Sequence, residues 1–278
     1  MIDGALLDAF LAFAEHASFT RGARALHVSQ PALHAMVKRL EGVLDRSLYR
    51  RVGRNVALTA DGLAVLAFAR EAREREHELR ARLEGAEALP VTLAAGEGAL
   101  LYLLGPALRR HRAPLRVLTR NGPDAIAALL AGEAQIAVAA ITEPPAGVSA
   151  DLLAVVGGMA LVPSGHALAS RRSIVLADLE GEPLVLPPRG APHRERIVRK
   201  LADSGIAPNV AVETHGWEAM IHFARLGLGI AVVNDFCRVP KGLIAIRVRD
   251  VETQRYHVLT RRARRSESVD SLRRALLA

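Results

Sequence analysis

The sequence predicts three parts: an all-α head closed by a short β-hairpin, a long polar helix, and an α/β region built as two similar lobes. Three observations carry this. Residues 18–58 hold two short amphipathic helical stretches, a tight turn between them, and then a Gly-Arg-Asn hairpin signal. Residues 59–87 are dense in Glu and Arg at helical spacing. From residue 91 onward, short β runs alternate with helices, the pattern of a parallel sheet with crossover helices.

The head begins with a helix over 3–15, whose Leu6, Leu7, Phe10, Leu11 and Phe13-Ala14 form one broad apolar face. Ser18 and Thr20 suit the start of a second helix, with Ala23, Ala25 and Leu26 inward and Arg21 and Arg24 outward. That helix breaks at His27-Val28. Ser29 is the next N-cap, and Pro31 is tolerated in the first turn because its missing N–H needs no partner there. A third helix runs over 30–41, with Leu33, Val37 and Leu40 on one face and Gln30, His34, Lys38 and Arg39 away from it. Residues 47–51 and 56–58 read as strands around Gly53-Arg54-Asn55, with Arg51 and Arg54 flanking the tip. Two short helices with polar groups outward and a basic wing form a winged helix-turn-helix, an arrangement that lays one helix in the DNA major groove. Ser29, Gln30, Pro31, His34, Lys38, Arg39, Arg51 and Arg54 are therefore the candidate DNA contacts, the wing arginines suiting phosphate or a narrow minor groove. Met36 reads as packing.

The head resembles the DNA-binding domain of LysR-type transcriptional regulators. The resemblance rests on Ser18-Phe19-Thr20, Ala23, Leu26, His27-Val28-Ser29-Gln30-Pro31-Ala32-Leu33, Leu40-Glu41, Leu48, Arg51, Arg54 and Leu58-Thr59-Ala60-Asp61-Gly62, about sixty residues in order. The chain departs from the family at His34-Ala35-Met36, where a base-reaching arginine is usual. The resemblance implies a linker helix that dimerises the protein, a tetramer built as a dimer of dimers, and a two-lobed effector domain related to periplasmic solute-binding proteins. Gly227-Leu228-Gly229-Ile230-Ala231 matches a Gly-x-Gly-Ile-Ala stretch of that domain.

The linker helix is expected from Thr59, a capping residue, to about Glu87, with Gly85 ending it and Leu89-Pro90 marking the boundary. A helix so polar and so long is a spacer or one partner of a coiled coil. The domains are thus 1–58, 59–88 and 89–278. In the last, strands are expected at 91–95, 115–119, 135–140, 160–163, 183–186, 210–213, 230–233 and 255–259. Helices are expected at 100–111, 123–131, 194–203, 218–226 and 269–277. The βαβαβ order appears twice, at 91–140 and 183–233, which suggests a hinged two-lobe sensor. In such sheets ligands sit beyond the carboxyl ends of strands, beside helix N-termini. The candidate effector-binding residues are therefore Gly96, Glu97, Gly98, Asn121, Ile141, Arg189, His193, His215 and Asn234. Backbone N–H groups there suit an anion. Arg189, His193 and His215 suit an anion too, or a neutral polar molecule if the imidazoles are uncharged. The family often has Ser or Thr in place of Gly98 and a small polar residue in place of His215. With Gly98 lacking a hydroxyl, only its backbone can serve.

Composition narrows the alternatives. The net charge is +8, but +6 of it lies in 241–278 and only +3 in 1–58, so the motif supports DNA binding better than the charge does. The run Arg261-Arg262-Ala263-Arg264-Arg265 reads as a solvated surface. The lone cysteine, Cys237, permits no internal disulfide and reads as a buried spectator, consistent with the cytoplasm. There is no apolar run of membrane-spanning length and no leader-like start, so no membrane partner is expected. Gly96-Glu97-Gly98 lacks the third glycine of a dinucleotide fingerprint, since Leu101 stands there. No Gly-x-Ser-x-Gly elbow occurs, and His111, His166, His193 and His222 lack ligand spacing, so neither an enzyme nor a cofactor is expected. The expected partners are double-stranded DNA, a small-molecule effector with anions among the candidates, other copies of this chain, and RNA polymerase. The alternative is a ligand-sensing protein with a vestigial head that works through protein contacts, suggested by His34-Ala35-Met36.

Overall fold

The computed structural model describes residues 2–53, 55–83, 90–262 and 265–278. Arg54, Gly85, Leu89 and the arginine at 264 lie outside the described residues. Among the described residues, no helix is long and apolar enough to cross a membrane.

In the head, α1 (Gly4–His16) starts at Asp3, whose Oδ1 accepts from the Ala5 N–H at 3.0 Å. Helix α2 (Phe19–Ala25) is capped by Ser18, whose Oγ accepts from Arg21 N at 3.4 Å. Helix α3 (Gln30–Leu44) is capped by Ser29, whose Oγ accepts from Ala32 N at 3.2 Å. Strands β1 (Tyr49–Val52) and β2 (Asn55–Leu58) pair antiparallel to form the wing. The core joins Phe10, Leu11, Phe13, Leu33, Val37, Leu40 and Leu48. Gly22 lets α2 cross α1, since a Cβ there would sit 2.8 Å from the Ala12 carbonyl oxygen.

Helix α4 (Ala60–Leu83) begins where Thr59 Oγ1 accepts from Gly62 N at 3.0 Å and donates to Ser47 O at 2.7 Å. Its first turns belong to the head: Leu66 and Ala69 are 5% and 3% exposed within that core. Farther on, Glu71–Arg75 and Glu76–Arg80 form i,i+4 pairs. Phe68, Leu79 and Leu83 stay exposed. At 100° per residue they fall, with Ala72, within an arc of about 60°. Arg70 ties three parts together. It donates to Ala131 O at 2.7 Å in the effector region and lies 3.5 Å from Glu133 and 3.8 Å from Glu15 of α1.

The effector region has two sheets. Lobe I orders its strands β4-β3-β5-β13-β6, from β3 (Val91–Ala95), β4 (Leu115–Thr119), β5 (Ile136–Ala140), β6 (Val148–Val156) and β13 (Gln254–Arg261). Helices α5 (Gly105–Arg110), α6 (Gly122–Leu130) and α9 (Glu267–Leu277) flank it. Lobe II orders its strands β10-β9-β11-β7-β12-β8, from β7 (Gly158–Pro163), β8 (Ser173–Ile174), β9 (Pro183–Leu186), β10 (Asn209–Glu213), β11 (Ile230–Asn234) and β12 (Leu243–Val248). Its helices are α7 (Pro192–Asp203) and α8 (Trp217–Arg225). Each lobe thus places three parallel strands in the order second, first, third and adds an antiparallel strand beside the third. The duplicated βαβαβ pattern produces this directly. The chain crosses between lobes twice, at Gly157 and at 249–253.

Three features differ from the sequence expectation. Strands β6, β8 and β12 are additional; β6 and β12 pair antiparallel with strands distant in sequence, and β8 pairs parallel with β12. The helix expected at 100–111 is a π turn over Ala99–Leu103 followed by the short α5. The basic tail residues are not all solvated, although Arg262 is exposed. Arg261 donates to Leu129 O and Ala134 O, Arg265 pairs with Asp270, and Arg273 pairs with Asp151. These three side chains bind carbonyls and acids of lobe I.

Candidate nucleic-acid interface and ligand cleft

The candidate reading face is the exposed side of α3 with the wing beside it. Leu33, Val37 and Leu40 are fully buried, which turns Gln30, Pro31, His34, Lys38 and Arg39 outward. Ser29 is spent on the cap. Gln30 is oriented by Thr20, whose Oγ1 donates to Gln30 Oε1 at 3.1 Å. His34 shares a hydrogen bond of 3.2 Å between Nε2 and the Tyr49 hydroxyl and packs edge-on against Phe19 at 5.0 Å. It therefore joins the recognition helix to the wing through the aromatic cluster of Phe13, Phe19 and Tyr49. Lys38 Nζ lies 2.7 Å from Glu41 and 5.0 Å from the centre of the Tyr49 ring. Its bond to Glu41 raises its pKa, so it stays cationic. Burial pushes the Glu41 carboxyl up, but Lys38, the Leu48 N–H and Ser47 outweigh it and hold the group ionised. Arg39 and Arg51 are exposed. Met36 packs against the head's core. Ala32 and Ala35 also face outward and place methyl groups on the reading face. The sequence reading missed them because alanine carries no polar signal, although a methyl can meet a thymine methyl.

The cleft between the lobes brings together Glu97, Gly98 and Asn234 with residues the sequence did not single out. Glu97 follows β3 of lobe I, and its Oε2 accepts from the Trp217 N–H at the start of α8 in lobe II, at 3.0 Å. Gly98 lies under the Trp217 indole. A Cβ there would sit 2.6 Å from Cδ1 and Nε1, so only glycine admits the ring. Tyr102 donates its hydroxyl hydrogen to Glu218 in the first turn of α8. Burial and that carboxylate raise the Tyr102 pKa, which keeps the phenol protonated as the donor. Asn234 is buried and donates from Nδ2 to the Tyr256 hydroxyl of lobe I at 3.2 Å. Phe236 sits between Tyr102 and Tyr256, at 6.3 and 5.8 Å. The two lobes are therefore shut on an aromatic row with acids beside it.

The remaining candidates sit elsewhere. His193 is buried behind Trp217, with ring centres 4.7 Å apart. Its Nε2 is 2.7 Å from Val232 O and its Nδ1 3.1 Å from Arg196, so both nitrogens are occupied within lobe II. Burial pushes its pKa down to about 4, and the ring is neutral. Asn121 caps α6, accepting from Asp124 N at 2.9 Å. Ile141 packs against the α6 side of lobe I and donates its N–H to Arg255 O at 3.2 Å. Gly96 accepts from Leu100 N at 3.0 Å, while Arg189 and His215 are exposed. Cys237 is buried, and that burial pushes its thiol up to about 12. Trp217 and Tyr102 escaped the sequence reading because the hydrophobic pattern gives them only as ordinary apolar positions.

Residues 5–63 match the family described as "Bacterial regulatory helix-turn-helix protein, lysR family", and residues 84–278 match "LysR substrate binding domain". The RuBisCO operon transcriptional regulator of Allochromatium vinosum is 28% identical over 237 residues, covering 82% of this chain and 78% of its own length. Full-length LysG of Corynebacterium glutamicum with bound effector Arg superposes with a TM-score of 0.75 at 22% identity, covering 99% of this chain and 97% of that one. Full-length CbnR in complex with its target DNA superposes at 0.58 and 21% identity, covering 99% of both chains.

Proposed function

The chain belongs to the LysR family of DNA-binding transcriptional regulators with an effector-binding domain, and on that premise we propose how its parts divide the work. The α3 face reads DNA through Gln30, Pro31, Ala35 and Arg39, with Ser29 capping, while His34 and Lys38 hold the wing so that Arg51 reaches the backbone or minor groove; Arg54 is a further candidate contact from the sequence alone. The stripe of exposed Phe68, Leu79 and Leu83 on α4, with the half-buried Ala72 in the same arc, is the seam of a homodimer, which places two heads on a roughly palindromic operator. A tetramer follows if dimers pair. The work is done in the cytoplasm, where RNA polymerase is a further partner.

A small molecule enters the cleft at Glu97, Gly98, Trp217 and Asn234. Only a ligand with unequal affinity for the open and shut lobes can shift the balance between them. Arg70 offers the mechanical route, because it grips the C-terminal turn of α6 in lobe I from a helix that is built into the head. The single observation that carries the DNA reading is the capped helix-turn-helix with a paired wing within the matched head. It also displaces the alternative of a vestigial head.

The test is sequencing of sheared genomic DNA retained by the purified protein at near-physiological salt. Salt matters because phosphate attraction alone retains DNA at low ionic strength. The expected result is sharp enrichment of a few sites sharing a half-site, abolished by Arg51→Glu. Diffuse recovery that disappears on adding salt would refute sequence-specific reading.

A further inference from the structure

Helix α8 begins at the mouth of the cleft, and its first N–H groups have no cap from their own segment: Gly216 occupies the N-cap position and offers no side-chain acceptor. The other lobe supplies what is missing. Glu97, more than a hundred residues away in sequence, crosses the cleft and accepts from Trp217 N at 3.0 Å. The fit around it is close. Gly216 has φ +84, and a Cβ there would sit 2.6 Å from Glu97 Oε2, so a side chain at 216 would exclude the carboxylate. Gly98, the next residue after Glu97, is equally obligatory because the Trp217 indole fills the space of its missing side chain. Tyr102 then fastens the same helix turn through Glu218.

A carboxylate thus already sits where the positive end of a helix, and a backbone N–H that its own segment does not cap, favour an anion. We propose that Glu97 is a tethered ligand: its carboxylate occupies the carboxylate-binding position of the cleft and holds the lobes shut without a small molecule. The free ligand class of this position is a small carboxylate, which takes it when the Glu97 side chain is removed. This rests on the reading that the inter-lobe cleft is the effector site.

The chain contains a single tryptophan, and it is Trp217, so intrinsic fluorescence reports this site alone. The experiment uses the full chain, wild type and Glu97→Ala, titrated with sodium acetate and, as the salt control, sodium chloride at equal ionic strength. The wild type is expected to keep a blue emission that acetate does not move. Glu97→Ala is expected to shift red as the lobes part and the indole meets water. Acetate then returns the emission toward the blue in a saturable way and raises the melting temperature, while chloride does neither. An alanine variant with wild-type emission, or an equal response of both proteins to acetate, would overturn the proposal. If Glu97→Ala does not fold, Glu97→Gln keeps the shape and the acceptor but not the charge. It is expected to lie between the two in emission, and a wild-type spectrum would sink the claim that the charge holds the cleft. The broader reading fails differently: a compound that alters operator binding while leaving Trp217 emission unchanged in every variant would remove the cleft as the effector site.

Discussion

The two lobes share one strand order but start their second crossover helices by different means. In lobe I, α6 is capped by Asn121 from its own loop, with Oδ1 accepting from Asp124 N at 2.9 Å. In lobe II, α8 occupies the corresponding place after β10, but its loop reads Thr214-His215-Gly216 and gives no side-chain acceptor. The capping group comes instead from Glu97 of the opposite lobe. A self-capped helix is indifferent to whether the lobes meet. A helix capped across the cleft is not, and this asymmetry makes lobe closure part of the local stability of lobe II. The burial of ionisable groups is asymmetric too, since lobe II places the neutral His193 directly behind Trp217.

The largest expected effect follows from that histidine. Unfolded, it takes a proton near pH 6.5; folded, only at about 4. Between these values the unfolded state binds more protons, so its contribution is intact above pH 6.5 and is lost as pH falls toward 4. The full difference is up to about 3 kcal/mol. Urea unfolding from pH 7 to 4, compared with His193→Phe, should show the steeper acid loss in the wild type. Equal slopes would place the acid sensitivity elsewhere.

Gly98→Val comes next. The added side chain meets the Trp217 ring and forces either a shifted indole or parted lobes, a destabilisation of about 1–3 kcal/mol by analogy with overpacked cores. Thermal melting would register the loss, and a red-shifted Trp217 emission would assign it to the cleft. Unchanged emission would mean that the ring has room to yield. The smallest effect is Asn121→Ala, which removes an ordinary cap and should cost about 1 kcal/mol without moving the Trp217 emission. A shift in that emission would contradict the independence of the two helix starts.

Much of this was legible in the residues. The capped start of α3, the apolar spacing of Leu33, Val37 and Leu40, the wing strands and the twofold βαβαβ pattern depend on neighbours a few positions apart, and the structure reproduces each. The Glu-Arg pairs of α4 are equally local. The roles of Glu97, Gly98, His34 and the tail arginines could not be read that way. Gly98 looks like a site lacking a hydroxyl, and only the position of Trp217 shows that it is a site that must lack a side chain. His34 looks like a free surface group until the wing brings Tyr49 within 3.2 Å. Arg261 looks solvated until the end of α6 brings the Leu129 carbonyl within 2.6 Å from 132 residues away.

The sequence by itself determined most of the elements, their order and the family, because helix capping, turn geometry and hydrophobic periodicity are set over a few residues by short-range sterics and hydrogen bonding. Only the tertiary structure decided which charges remain free, which glycines are obligatory and which carboxylate caps α8. At Glu97, Gly98, Gly216 and Arg261 these depend on groups more than a hundred positions apart, which chain folding alone brings together.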